Sequence, residues 1–170
     1  DEIPPLPDSI GLAGPFVGVH GDALIVAGGA NFPRPVWDNE KVWHDEIHIL
    51  SKKDGEYSWK QSGRLPRPLA YGAAVSTKAG VLCIGGNDNS STFSEVFLLQ
   101  ADEETGEVNI VDYPALPDPC AFGAAALMGN AEDGVVFLAG GQSGSSLDTA
   151  TNQMWSLDLS KRDDTACLLY

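Results

Sequence analysis

Apolar residues along this chain come in short bursts, and nowhere do they keep the 3.6-residue spacing of a helix over ten residues. Three bursts are nearly unbroken: Ala23-Leu24-Ile25-Val26-Ala27, Val81-Leu82-Cys83-Ile84 and Val135-Val136-Phe137-Leu138-Ala139. Each runs into a Gly-Gly pair, at residues 28–29, 85–86 and 140–141, so the pairs recur after 57 and then 55 residues. Upstream of each lies a Leu-Pro, at 6–7, 65–66 and 116–117, followed by a segment of small residues at 14–19, 71–75 and 122–127. Downstream, a polar loop leads to an alternating apolar segment, at 46–50, 95–99 and 154–159. A turn rich in charge or glycine comes next, at 53–55, 104–106 and 161–163, and a last short strand near 57–61, 107–111 and 166–170. The pattern predicts three units of four short strands each, with almost no helix.

Four antiparallel strands repeated at this spacing describe a β-propeller blade. The first strand of each unit is rich in glycine and alanine, which suits an innermost strand where blades crowd about an axis. The second is apolar on both faces, as a strand between two neighbouring blades must be. Gly-Gly then permits a sharp exit through positive φ that branched side chains cannot follow. The expected fold is all-β, a partial propeller of three four-stranded antiparallel blades over residues of about 6–64, 65–115 and 116–170. In such a meander the start of strand one and the end of strand two share a side. The loops after Leu-Pro and after Gly-Gly therefore gather on one face around the channel, where binding residues concentrate on a rigid scaffold. The post-doublet loops hold 15, 8 and 11 residues, at 30–44, 87–94 and 142–152. The first is long for a connector and carries Asn31, Phe32, Arg34, Trp37, Asp38 and Trp43.

Charge narrows the partners. Lys and Arg number 10 against 24 Asp and Glu, a formal net charge of −14 in 170 residues. Such a field repels phosphate backbones and anionic lipid, so neither nucleic acid nor a membrane surface is expected as a partner. No apolar run reaches the roughly 20 residues that span a bilayer. Cys83, Cys120 and Cys167 form no CxxC or Cys/His cluster and read as small buried apolar residues. His20, His44 and His48 are scattered. His48 falls within an alternating strand, and His44, at the end of the long loop, is the one to test for acid/base work. The chain opens on Asp1 rather than Met, which reads as a removed leader or an excerpt of a longer chain.

The Gly-Gly after an apolar strand, the Leu-Pro entry and a downstream Trp (Trp59, with Trp155 placed more loosely) resemble kelch repeats. Within them, the run from Asp8 through Gly18, then Leu24-Ile25-Val26-Ala27-Gly28-Gly29-Ala30-Asn31-Phe32, is similar to the sialic acid mutarotases, or N-acetylneuraminate epimerases. So are the long loop before Asp45-Glu46-Ile47-His48 and the Ala70-Tyr71-Gly72 of the next unit. The similarity covers about the first hundred residues. Its place at the start of the chain resembles a cyclically permuted branch of that family; the third unit matches only as a generic kelch repeat. The resemblance implies a six-bladed propeller, of which this chain supplies half, the rest coming from a longer chain or from a second copy. It also implies a cofactor-free isomerase acting on a small acidic sugar, and an exported location, periplasmic or secreted.

Mutarotation needs one general base and one general acid to open and reclose a cyclic hemiketal, with no metal or nucleotide. A sialic acid carries a carboxylate at its anomeric carbon, so an arginine making paired hydrogen bonds is expected. Arg34, in the long loop, and Arg67, in Leu65-Pro66-Arg67-Pro68, are the candidates, each readable also as a surface charge. The family places an arginine immediately before Ala-Tyr-Gly; Leu69 stands there in this chain. Tyr71 and Phe122 open two innermost strands, where they either stack on a sugar face or pack blades. Asn31, Asn87 and Gln142 follow the doublets, where they either bind hydroxyl groups or hold turns. The family's glutamate base follows a doublet-like turn, and Asn87 and Gln142 stand in that place here, so no catalytic base is assigned. Two other functions compete. One is a kelch module that binds another protein without chemistry. The other is a carbohydrate oxidase, whose copper would need two His, tyrosines and a Tyr–Cys pair; the scattered histidines speak against it.

Overall fold

The computed structural model describes residues 3–102 and 104–161, and the backbone of 168–169. Its strands are β1 (Phe16–His20), β2 (Ala23–Ala27), β3 (Ala30–Asn31), β4 (Val42–Trp43), β5 (Glu46–Lys53), β6 (Glu56–Arg64), β7 (Ala73–Thr77), β8 (Gly80–Ile84), β9 (Val96–Ala101), β10 (Val108–Tyr113), β11 (Ala124–Met128), β12 (Val135–Ala139), β13 (Met154–Asp158) and β14 (Leu168–Leu169). Three short 3-10 turns, Val36–Asp38, Leu147–Thr149 and Leu159–Lys161, are the helical content of the described residues.

The strands form three antiparallel four-stranded sheets, β1-β2-β5-β6, β7-β8-β9-β10 and β11-β12-β13-β14, plus a two-stranded ribbon, β3-β4. All-β architecture with four strands per unit is thus as the periodicity predicts. The last predicted strand of the third unit and Cys167 fall largely outside the described residues. The first strands sit together at the hub, with β1 against β7 and β7 against β11. A backbone chain runs round that hub: Tyr71 N–H donates to Gly14 O at 2.7 Å, and Phe122 N–H to Tyr71 O at 2.7 Å.

Alternation along β8 feeds two cores at once. Val81 and Cys83 point into a cluster with Phe16, Ile25, Ile47 and Ile49 of the first sheet, where the Phe16 and Phe97 rings meet edge to face at 5.6 Å. Leu82 and Ile84 point the other way, to Val136, Leu138, Trp155 and Leu157 of the third sheet. Each such side chain, fully removed from water, contributes roughly 1.5–3 kcal/mol. Burial pushes the Cys83 thiol well above its usual pKa and raises that of Cys120, so both are apolar filling.

Polar stitches tie the far ends of the sheets. His20 Nδ1 accepts the Ala101 N–H at 3.0 Å, Ser62 Oγ donates to Gly106 O at 2.8 Å, and Lys78 N–H donates to Ala131 O at 2.7 Å. Ser62 and Gly63 form a bulge on β6, two residues opposite one on β5, which turns the buried Ser62 toward the second sheet. The outer face of the first sheet is crossed by the chain's own N-terminal segment, with Trp59 Nε1–H donating to Pro4 O at 3.1 Å.

Candidate functional site

The three entry loops and three post-doublet loops do lie together on one face. Isolated antiparallel bridges join them in each unit: Ala13 to Ala30, Ala70 to Asn87 and Ala121 to Gln142. These bridges also correct one alignment. Asn31, Asn87 and Gln142 are not equivalent, because Ala30 occupies the position of the other two. A shift of one residue in an extended segment turns a side chain to the opposite side. The Asn31 amide accordingly points away, donating to Gly11 O at 3.1 Å and Asp8 Oδ1 at 3.4 Å, and holds the N-terminal segment. Asn87 Oδ1 accepts from Trp43 Nε1 at 3.2 Å.

Gly14, Tyr71 and Phe122 are true equivalents, each in the left-handed region at φ of 62°, 61° and 59°. That conformation is costly for a residue with a Cβ, and here two aromatic residues hold it at the hub. A Cβ at Gly14 would overlap the Tyr71 ring, so glycine in the first unit makes room for the aromatic residue of the second. Tyr71 and Phe122 stack with centroids 4.8 Å apart and planes 28° from parallel, while Phe122 stays 51% exposed. The pair forms an aromatic platform on the rim.

The long loop folds back as the ribbon β3-β4, pairing Ala30 with Trp43 and Asn31 with Val42. Lys41 immediately precedes the return strand, two residues from Trp43, and in that extended stretch the two lie on one side. Lys41 Nζ lies 5.6 Å from the Phe32 centroid, 5.2 Å from Trp43 and 4.8 Å from Tyr71. Sequence reasoning named Phe32, Trp43 and Tyr71 but passed over Lys41. The overlooked signal was the two-residue spacing of Lys41 and Trp43, legible once the loop is read as a hairpin.

The two nominated arginines do not join this cluster. Arg34 and Trp37 are both exposed near the loop tip, Trp37 to 95%. Arg67 pairs with Glu95 at 3.0 Å, and its guanidinium lies 4.7 Å from the Phe93 centroid. Its positive charge also reaches Asp88. Burial raises the Asp88 pKa, but hydrogen bonds from Ser90 and Ser91, with the Arg67 charge, outweigh it and hold the carboxyl below its usual range. A rim cavity of about 360 Å³ is lined by Lys41, Val42, Trp43, Pro68, Asp88 and Asn89. Leu69 is buried in the core between the first two sheets. His44 faces elsewhere, lining a second cavity with Pro7, Asp8, Leu12, Glu46 and His48. Among the described residues, no three His, Cys, Asp or Glu side chains gather where they could hold a metal ion. No helix among them is long and apolar enough to cross a membrane.

Radial sheets about a common hub, with Gly-Gly exits and loops converging on one rim, define a kelch-type β-propeller unit. The solved structure of YjhT has the same fold, with a TM-score of 0.67 at 15% identity over 95% of this chain and 46% of that one. The family model for N-acetylneuraminate epimerase matches residues 5–108, and the chain belongs to that family. N-acetylneuraminate epimerase of Brucella suis is 40% identical over 116 residues, covering 59% of this chain and 29% of the relative. Those of Vibrio vulnificus and Yersinia pestis are 38% identical over 114 residues and 32% over 112, covering 28% and 27% of their lengths. The chain thus spans less than a third of the length of these curated relatives. The matched part takes in the first sheet and the second up to the start of β10, and so includes the ribbon, Lys41 and Tyr71.

Proposed function

We propose that this chain supplies three blades, near 6–64, 65–115 and 116–170, of a mutarotase that interconverts the anomers of N-acetylneuraminate or a related acidic sugar. The observation that carries the reading is the family match, because residues 5–108 include nearly every side chain of the aromatic and cationic rim. A pyranose offers an apolar ring face that stacks on aromatic side chains, and the Tyr71–Phe122 platform is suited to it. Asn87, Gln142 and Phe32 sit around that platform on the same rim loops and are the proposed hydroxyl and ring contacts. Arg34 and Arg67 remain peripheral candidates, Arg67 being engaged with Glu95.

The reaction asks for a base that takes the anomeric hydroxyl proton and an acid that protonates the ring oxygen. No residue of these three blades is assigned as that base; the remaining blades come from a longer chain or from a second copy. Proton NMR of freshly dissolved N-acetylneuraminate tests the reading. Micromolar full-length protein should bring the anomers to equilibrium faster than buffer alone. An unchanged rate with folded, full-length protein would overturn it.

A further inference from the structure

The rim holds an unmatched cation. Lys41 lies within 4.8–5.6 Å of three ring centroids, those of Tyr71, Trp43 and Phe32. Ring faces attract an ammonium through their quadrupoles but offer no lone pair for its three N–H donors. Among the described residues no carboxylate pairs with Lys41, although Arg64, Arg67, Lys78 and Lys161 each have one. Arg34, Lys53 and Lys60 likewise have no carboxylate partner among the described residues, so Lys41 is set apart by the three rings that surround it on the rim. Asp88 lines the same cavity but stands beyond ion-pair distance of Lys41, and its Oδ1 accepts from the N–H groups of Ser90 and Ser91 at 2.7 and 2.8 Å. The three rings fix the ammonium beside the Tyr71–Phe122 platform, so charge and apolar surface stand side by side.

We propose that Lys41 is the carboxylate-binding cation of this rim, a specificity residue that selects acidic over neutral sugars. The ligand class rests on the mutarotase reading; the cation and its setting do not. The ligand carboxylate takes the N–H donors that the rings leave unused, while the sugar ring or its N-acetyl methyl covers the exposed Phe122. The arginine expected for this role is replaced by a lysine held by aromatic side chains. A lysine gives a point charge without bidentate geometry, so the site reads charge more than carboxylate planarity.

The test compares binding of N-acetylneuraminate with that of its methyl ester, which keeps the sugar and removes the charge. Isothermal titration on the full-length protein is run for wild type, Lys41→Met, Lys41→Gln and Lys41→Arg. Wild type should favour the acid by about ten- to a hundredfold, the range of one charge-assisted contact. Lys41→Met and Lys41→Gln should bring the two ligands within about twofold, and Lys41→Arg should restore most of the preference. The ratio is insensitive to a general loosening of the rim, which weakens both ligands alike. An acid preference that survives in either neutral variant overturns the proposal, as does a wild type that binds neither ligand or both equally. Anomer exchange measured in parallel separates the two readings. Acceleration by wild type together with a Lys41-independent preference sinks only the Lys41 role. A Lys41-dependent preference without acceleration sinks only the mutarotase.

Discussion

The second and third sheets share a sequence plan, yet their burial differs sharply. Every residue of β8 is buried, whereas β12 alternates buried and partly exposed positions, and Met128 and Met154 on its neighbours are 63% and 57% exposed. The glycine doublets carry the same contrast. A Cβ on Gly85 would overlap the Cys120 carbonyl of the third unit's entry loop, and one on Gly28 would overlap the Leu69 carbonyl. Gly86 N–H donates to that Cys120 oxygen at 2.8 Å, as Gly29 N–H does to Leu69 O at 2.9 Å. At Gly140, with φ of 63° like the others, the nearest atom to an added Cβ is Thr151 O at 3.7 Å. The first glycine of a doublet therefore serves two ends, a left-handed backbone and room for the next blade's carbonyl. Only the first of these is in use at Gly140 among the described residues.

Substituting the doublets should break this comparison most visibly. Gly85→Ala meets both the left-handed penalty and the overlap with Cys120 O, for a combined loss of roughly 2–5 kcal/mol. Gly140→Ala meets the backbone penalty alone, about 1–2 kcal/mol. Urea unfolding of both variants measures the difference, and equal losses in this chain would remove the neighbour-based explanation. In a chain that carries a following blade against β12, the two losses should converge.

Core truncation gives a smaller contrast. Leu82 on β8 is packed into the shared core with the third sheet, and Leu82→Ala should cost about 2–4 kcal/mol. Phe137 lies on the other face of β12 from Val136 and Leu138 and is only partly covered. Phe137→Ala should cost less, about 1–2 kcal/mol, because part of the ring already lies in water. Smaller again is Arg67→Ala. Its pair with Glu95 is well exposed, so the change should lie within about 1 kcal/mol and shrink further in high salt.

The fold was largely legible because repetition exposes itself. Three Gly-Gly pairs at near-constant spacing locate three second strands, and each strand's neighbours follow from the turn residues around it. Blade packing was legible in β8, whose apolar residues on both faces demand two partners. The rim was legible as a place and less so as a set of side chains. Asn31 stands two residues after its doublet where Asn87 and Gln142 stand one, so in an extended segment it points the other way, a register that the Ala13–Ala30 bridge bears out. Lys41 was invisible because its partners come from residues 32, 43 and 71, which meet only when the ribbon folds onto the second unit. Arg67 was a carboxylate-binding candidate from its loop, but Glu95 and Phe93, in the segment before β9, engage it instead.

The first sheet offers a third state between the buried and the open: an outer face covered by the chain itself. Val26 and Leu50 are buried there, while Val17 and Val19 remain nearly half exposed, so the N-terminal segment shields only part of the face. His48, cross-strand from Val26, lies in the shielded part, and its Nδ1 is buried without a partner. Burial lowers the His48 pKa, and the nearby carboxylates of Glu46 and Asp8 oppose this only in part. The folded state therefore holds His48 neutral at pH values where the unfolded chain, titrating near the ordinary 6.5, already takes up a proton. Above that value the histidine has no effect on the pH slope. As pH falls below it, the unfolded chain binds more protons, and stability drops until the lowered folded pKa is passed. Urea midpoints at pH 7.5 and pH 5.5 should fall more in wild type than in His48→Gln, which has no proton to gain. A variant as acid-sensitive as wild type would mean that the shielded face imposes no cost on the charge.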